Sequence, residues 1–210
     1  MNIDADPPVV ERCLREARIG FLHAAKLHPA MKHAAGARRL LGRRTIFNLP
    51  GPLMNPAGVK RQLVGVARRS LVTPMAIALK DLGARRAFVV HGWDGRCDLS
   101  VTGPSTCVEL GDGELTARLV HPADFGLTVA ELTELSADSP EASAAAIRAV
   151  LAGERGPRWN HTLLNAAAAL AVAGVACDLA EGRARAADAI NRGAARVTLD
   201  RLAAISRGQA

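Results

Sequence analysis

The sequence predicts an α/β protein: a central, mostly parallel sheet flanked by helices, with a helical C-terminus. Three observations carry that expectation. Gln62–Ala67 (QLVGVA) and Ala87–His91 (AFVVH) are continuous apolar runs of strand length, and the helical stretch between them opens at Thr73-Pro74 and closes at Gly83. Strand, helix, strand with short joints is the pattern of a parallel α/β unit. From Trp159 onward the apolar spacing is helical, over Leu163–Val172, Leu179–Asn191 and Ala195–Ile205. With 210 residues, 49% of them hydrophobic and 22% charged, the chain can bury a core and form one domain or one and a half. Aromatics make up only 3% and tyrosine is absent, so alanine, leucine and valine must fill that core.

In chain order, Asp6-Pro7 reads as a cap followed by proline at the first helical position, with Gly20 as the stop. Val9, Val10, Cys13, Leu14 and Ala17 recur between them at helical spacing. A second helix is predicted from Pro29 to Leu41, stopped by Gly42. At about 100° per residue, Ala30, Ala34, Ala37 and Leu41 share its apolar face. Arg38 projects inside that arc, either as a snorkelling side chain or toward a ligand. Arg44–Pro56 (RTIFNLPGPLMNP) then runs from a short strand into a rigid loop, because its prolines fix φ and remove donors.

The turn Gly92-Trp93-Asp94-Gly95 follows the second apolar strand. In parallel sheets ligands bind beyond the carboxyl ends of strands, which places Asp94, Cys97, Asp98 and Ser100 well for chemistry. A simple hairpin is the alternative, since Asp-Gly is also a hairpin signal. Gly111-Asp112-Gly113 is expected to join Thr106–Leu110 and Glu114–Val120 as a hairpin, and Ser139-Pro140-Glu141 to cap a helix ending at Gly153. Asn165, ahead of Ala166–Leu170, reads as part of a packing helix and nothing more.

The formal charge of +7 and pI near 10.0 favour phosphate-bearing partners. No block of five or six basic residues and no aromatic platform occurs, which disfavours nucleic acid. Cys13, Cys97, Cys107 and Cys177 are dispersed, as reduced thiols of a cytoplasmic protein would be. No apolar run reaches membrane-spanning length. His28 and His33, five apart, do not share a helix face for a metal, and His91 at its strand end reads as a satisfied core or rim histidine. No P-loop, nucleophile elbow or dinucleotide-binding glycine motif occurs.

Three stretches, IGFLHAAKLHPAMKHAAGARRLLGRRTIFNLPGPLMNPA, HGWDGRCDLS and LLNAAAALAVAG, resemble the anthranilate phosphoribosyltransferase family of tryptophan biosynthesis. That family transfers phosphoribosyl from phosphoribosyl pyrophosphate (PRPP) to anthranilate. The resemblance implies the C-terminal-domain fold of the nucleoside phosphorylase/phosphoribosyltransferase-like superfamily, with residues 1–210 as a single α/β domain. It assigns Arg38 to the anthranilate carboxylate and His28, Met31 and Asn48 to the walls of the anthranilate channel. No catalytic side chain is assigned.

The family holds Mg²⁺ through adjacent Asp and Glu in D-G-L-D-E-x-S. Here that motif reads Asp94-Gly95-Arg96-Cys97-Asp98-Leu99-Ser100, so Asp98 matches the Glu and Cys97 replaces the Asp. A thiol is a poor ligand for a hard cation, and a weakened metal site follows. Pro50 stands where the family has Leu. The family's glycine-rich PRPP loop and small helical domain are expected to precede Met1. The chain is thus expected to be incomplete alone, as a truncated frame or as a split-enzyme subunit needing an N-terminal partner. A non-catalytic, nucleic-acid-binding relative is the remaining alternative.

Overall fold

The computed structural model describes residues 1–27, 36, 40–42 and 51–209. In order, the elements are α1 (Pro7–Ala17), α2 (Ala24–Leu27), β1 (Arg61–Gly65), α3 (Val72–Asp81), β2 (Arg86–Gly92), β3 (Ser105–Gly111), β4 (Glu114–Val120), α4 (Pro140–Leu151), α5 (Pro157–Ala173), α6 (Leu179–Asn191) and α7 (Ala194–Ser206). They form two compact units, Met1–Gly58 with Ala194–Ala210, and Val59–Gly193.

In the first unit α1 packs on α7, burying Cys13 and Ala17 against Leu202 and Ile205. Asp6 begins α1 through its backbone carbonyl, which accepts the Val9 and Val10 amides at 2.9 and 3.1 Å. Its carboxylate makes no cap bond and faces Lys26 at 3.1 Å instead. The helix ends at Arg18, in left-handed geometry at φ 61°, two residues before the expected Gly20. Of the predicted second helix, Gly36, Leu40 and Leu41 are helical, and Gly42 takes φ 57° as a glycine stop does. Leu41, expected on the apolar face, is 52% exposed.

In the second unit, four strands among the described residues form one sheet in the order β1-β2-β3-β4. The α/β class and the helical C-terminus are as expected, and the sheet is mixed. β1 and β2 are parallel, with Arg61 opposite Arg86 and Gly65 opposite Val90, joined by α3. β2–β3 and β3–β4 are antiparallel. A parallel return needs a crossover across the sheet, usually a helix. Residues 93–104 supply only a loop, so the chain turns back beside β2. Asp112 and Gly113 connect β3 to β4 at φ 50° and 81°, the tight two-residue turn that Asp-Gly favours.

One core joins sheet and helices. Phe88, Val90, Cys107 and Val120 meet Leu164, Ala167, Ala168 and Ala171 of α5, together with Leu99 and Val101 from the loop after β2. Burying a side chain such as Leu164 or Leu99 contributes about 1.5–3 kcal/mol. Small residues let the helices approach: a Cβ on Gly182 of α6 would lie 2.7 Å from the Ala167 carbonyl oxygen. Close backbone contact thus replaces the missing aromatic bulk. Burial pushes the Cys107 thiol up to about 12, so it behaves as a small apolar group. Among the described residues no helix is long and apolar enough to cross a membrane, and the four cysteines are free.

Candidate functional site

The site lies past the carboxyl end of β2, where the loop from Trp93 to Pro104 leaves the sheet. Its turn is built by glycine. Gly95, at φ 87°, donates its amide to Gly92 C=O at 2.9 Å, and Gly92 donates to Arg96 C=O at 3.0 Å. Any Cβ on Gly92 would lie 2.5 Å from Asp94 Oδ1. The motif is therefore a closed turn inside a longer loop: β2 and β3 do pair as an antiparallel hairpin, joined by residues 93–104 and not by Asp94-Gly95 as a two-residue turn.

Asp94 is turned inward and is only 7% exposed. Its Oδ1 accepts the Arg96 amide at 3.0 Å, and its Oδ2 accepts the hydroxyls of Ser100 at 2.7 Å and Thr102 at 2.9 Å. Burial alone would raise its pKa, but the bonds from Ser100, Arg96 and Thr102 and the Arg96 charge outweigh it and hold the carboxyl below the ordinary range. Ser100 donates its amide to Ser105 Oγ at 2.7 Å, with both serines fully buried. Asp94 and Ser100, candidates for chemistry by position, are thus spent on the shape of the loop.

Cys97 and Asp98 form the outward side of the loop, and both are exposed. The segment lies flat on the end of β1: a Cβ on Gly65 would fall 1.6 Å from the Cys97 carbonyl oxygen. Asp98 Oδ2 stands 3.7 Å from His161 Nε2 on α5, a contact looser than an ordinary hydrogen bond. The His161 ring lowers the Asp98 pKa against opposing burial, and Arg96 adds to the lowering. The carboxylate is therefore ionised at neutral pH. His161 Nδ1 is buried and has no hydrogen-bond partner among the described residues.

Asn165, one turn further along α5, accepts the Leu99 amide at 2.9 Å and donates to Leu99 C=O at 2.9 Å and His161 C=O at 3.0 Å. The view of Asn165 as packing alone is corrected: it is bonded to the site loop. His161 escaped the sequence reading altogether, because a lone histidine early in a helix carries no signal of a partner in another segment. Gly65 escaped as well, although a glycine inside an apolar strand signals close backbone approach. His91 is a satisfied core residue, 8% exposed, with Nδ1 2.8 Å from Val66 C=O.

This arrangement can present one ionised carboxylate to a cation or to a metal-bearing phosphate. Mg²⁺ is commonly held by one or two carboxylates, with waters and substrate phosphates completing its shell. Asp98 fits that role and the Cys97 thiol does not. Among the described residues no group of three or more His, Cys, Asp or Glu could hold a metal ion. The predicted anthranilate residues His28, Met31, Arg38 and Asn48, and Pro50, lie outside the described residues. Within the Asn48–Pro56 loop, Gly51–Met54 is a 3₁₀ turn, and Asn55 Oδ1 accepts the Ala57 amide at 3.0 Å.

Residues 1–196 match the profile described as "Glycosyl transferase family, a/b domain", and the chain belongs to that family. Within it, the chain is similar to anthranilate phosphoribosyltransferases. The enzyme of Rhodospirillum rubrum is 50% identical over 205 residues, which cover 98% of this chain and 59% of that protein. The enzyme of Maricaulis maris is 46% identical over 210 residues, covering 100% of this chain and 62% of that protein.

Among solved structures, anthranilate phosphoribosyltransferase from Thermus thermophilus superposes with a TM-score of 0.91 at 40% identity, covering 99% of this chain and 61% of that one. The Saccharomyces cerevisiae enzyme in complex with PRPP and Mg superposes with a TM-score of 0.87 at 25% identity, covering 99% and 60%. The chain thus spans about three-fifths of the length of the curated relatives it matches.

Proposed function

We propose that this chain carries the anthranilate-binding residues and the metal-facing carboxylate of a phosphoribosyl transfer from PRPP to anthranilate, yielding N-(5-phosphoribosyl)anthranilate and pyrophosphate in tryptophan biosynthesis. One observation carries the reading: the similarity to anthranilate phosphoribosyltransferases runs over 98% of the chain at 50% identity. The yeast relative, solved once with PRPP and Mg and once with 4-fluoroanthranilate, supports the same ligand classes here.

In this reading the bond from ribose C1 to the pyrophosphate oxygen breaks, its electron pair leaving with pyrophosphate. A bond from the anthranilate nitrogen to C1 forms, and the amine's proton passes to water or to the departing pyrophosphate, since no side chain is assigned as base. The protein's part is positioning and charge stabilisation. Arg38 holds the anthranilate carboxylate through a planar, two-bond guanidinium contact, and His28, Met31 and Asn48 line its channel. Asp98, kept ionised beside His161, faces the pyrophosphate end. Asp98 would hold Mg²⁺, which would neutralise charge on the leaving pyrophosphate, and the Cys97 thiol in place of a carboxylate would weaken that site.

These 210 residues offer no glycine-rich phosphate loop, so further polypeptide, in the same chain or a separate partner, cradles the PRPP phosphates. The chain then works as part of one catalytic α/β domain, in the cytoplasm. The test follows anthranilate fluorescence with PRPP and Mg²⁺ present, using the purified chain alone and mixed with the PRPP-loop-bearing N-terminal part of a full-length relative. Negligible turnover alone and restored turnover on mixing are expected. Turnover by the chain alone at the rate of a full-length relative refutes the incomplete-site reading, and absence of turnover with every complement tried refutes the activity.

A further inference from the structure

We infer that Asn165 is a positioning residue: from α5 it fixes the peptide beside Asp98 and so sets where the loop presents its carboxylate. The inference deepens the reading of Asp98 as the group facing magnesium pyrophosphate and, for that functional half, rests on it. The two partners are 66 residues apart in sequence.

The side-chain amide takes both backbone groups of one residue. Oδ1 accepts the Leu99 N–H and Nδ2 donates to the Leu99 C=O, each at 2.9 Å, as a neighbouring strand would. Two bonds to one residue resist both its translation and its rotation. The same Nδ2 also donates to His161 C=O at 3.0 Å, which fixes the amide's own direction and shows which end is nitrogen. From the other side Leu99 is held by its fully buried side chain in the core. Asp98 directly precedes that fixed peptide, and its carboxylate meets His161 at 3.7 Å on the same helix. Helix α5 therefore holds the loop by hydrogen bonds at Leu99, with His161 in a looser contact beside Asp98.

A packing role does not account for this residue. Alanine occupies the four following positions, Ala166–Ala169, and asparagine is a poorer helix former than alanine. A polar residue that breaks the local rule marks a place where another demand prevails.

The test compares the unmodified chain with Asn165→Ala and Asn165→Asp by amide hydrogen exchange, by backbone order parameters at Cys97 and Asp98, and by calorimetric titration of each, complemented with the PRPP-loop-bearing N-terminal part of a full-length relative, with magnesium pyrophosphate. Asn165→Ala is expected to speed Leu99 exchange at least about tenfold and to lower the order parameters from ~0.85 toward ~0.6, with β2 and β3 exchange unchanged. It is also expected to weaken magnesium pyrophosphate by about 10–100-fold. Asn165→Asp keeps an acceptor for the Leu99 amide but sets a carboxylate oxygen against the Leu99 and His161 carbonyls, so it is expected to loosen the loop at least as much as alanine. If the alanine variant does not fold, the same readouts on Asn165→Asp decide.

Unchanged exchange and order in the variants overturn the inference. Loosening without loss of magnesium pyrophosphate affinity also overturns it, reducing Asn165 to a structural residue. If the complemented, unmodified protein does not bind magnesium pyrophosphate while Asn165→Ala still frees residues 97 and 98, the clamp stands and the phosphoribosyl-transfer reading falls.

Discussion

Gly65→Ala offers the sharpest check on how the loop is seated. Gly65 ends β1 in ordinary strand geometry and is not among the residues at positive φ, so alanine meets no conformational strain there. On backbone entropy alone the change stabilises, by about 0.4–1 kcal/mol. Space reverses the sign. The added Cβ falls 1.6 Å from the Cys97 carbonyl oxygen, 2.6 Å from its carbonyl carbon and 2.9 Å from its Cβ, whereas ordinary contact begins at 3.4 Å. The obstacle is backbone, which no rotamer change can clear, so the segment must retreat by almost 2 Å.

Overpacking of this kind costs about 1–3 kcal/mol. The retreat also strains the two Asn165–Leu99 hydrogen bonds, worth about 1 kcal/mol each. A net destabilisation of about 2–4 kcal/mol is expected, measured by urea unfolding, together with faster exchange of the Leu99 amide. Gly111→Ala is the control, since Gly111 ends β3 and a Cβ there meets nothing within 4 Å. If Gly65→Ala and Gly111→Ala differ by less than about 0.5 kcal/mol, the seating of residues 97–98 on β1 is wrong.

Asp94→Asn should cost about 1–3 kcal/mol at pH 7, because the Ser100 and Thr102 hydroxyls lose their charged acceptor. The folded-state pKa of Asp94 is lowered, so its stabilisation is present above the unfolded value near 4 and is lost as pH falls through the folded one. The variant's stability should therefore fall less than that of the unmodified chain between about pH 5 and pH 3, and parallel acid-unfolding curves would contradict this. Arg38→Ala should weaken anthranilate binding in the complemented protein by about 2–4 kcal/mol, roughly thirty- to a thousand-fold by calorimetry, and wild-type affinity would remove Arg38 from the site. In the complemented protein Cys97→Asp supplies a hard oxygen donor and should tighten magnesium pyrophosphate binding; an unchanged titration means that the weakness has another cause.

What the sequence determined by itself was local. Proline in the first turn and glycine at the stop placed α3 and α4, and helical spacing up to the Gly193 stop placed α6, each to within a residue or two, because such signals act over a single turn. Asp112-Gly113 announced its hairpin for the same reason: two positive φ angles are needed, and these residues tolerate them. The motif around Cys97 and Asp98 was legible as a position beyond a strand end.

Tertiary structure decided what depends on distant partners. The direction of β3 was settled by a loop without a crossover helix, and the tasks of the two aspartates by burial. Asp94 turned inward to two hydroxyls and an amide while Asp98 faced out, although the two lie four residues apart in one loop. The demand for glycine at position 65, and the grip of Asn165 and His161 on a segment more than sixty residues earlier, arise only when α5 and the end of β1 meet that loop. A sequence records the bonding capacity of each residue, and folding selects the partner that uses it.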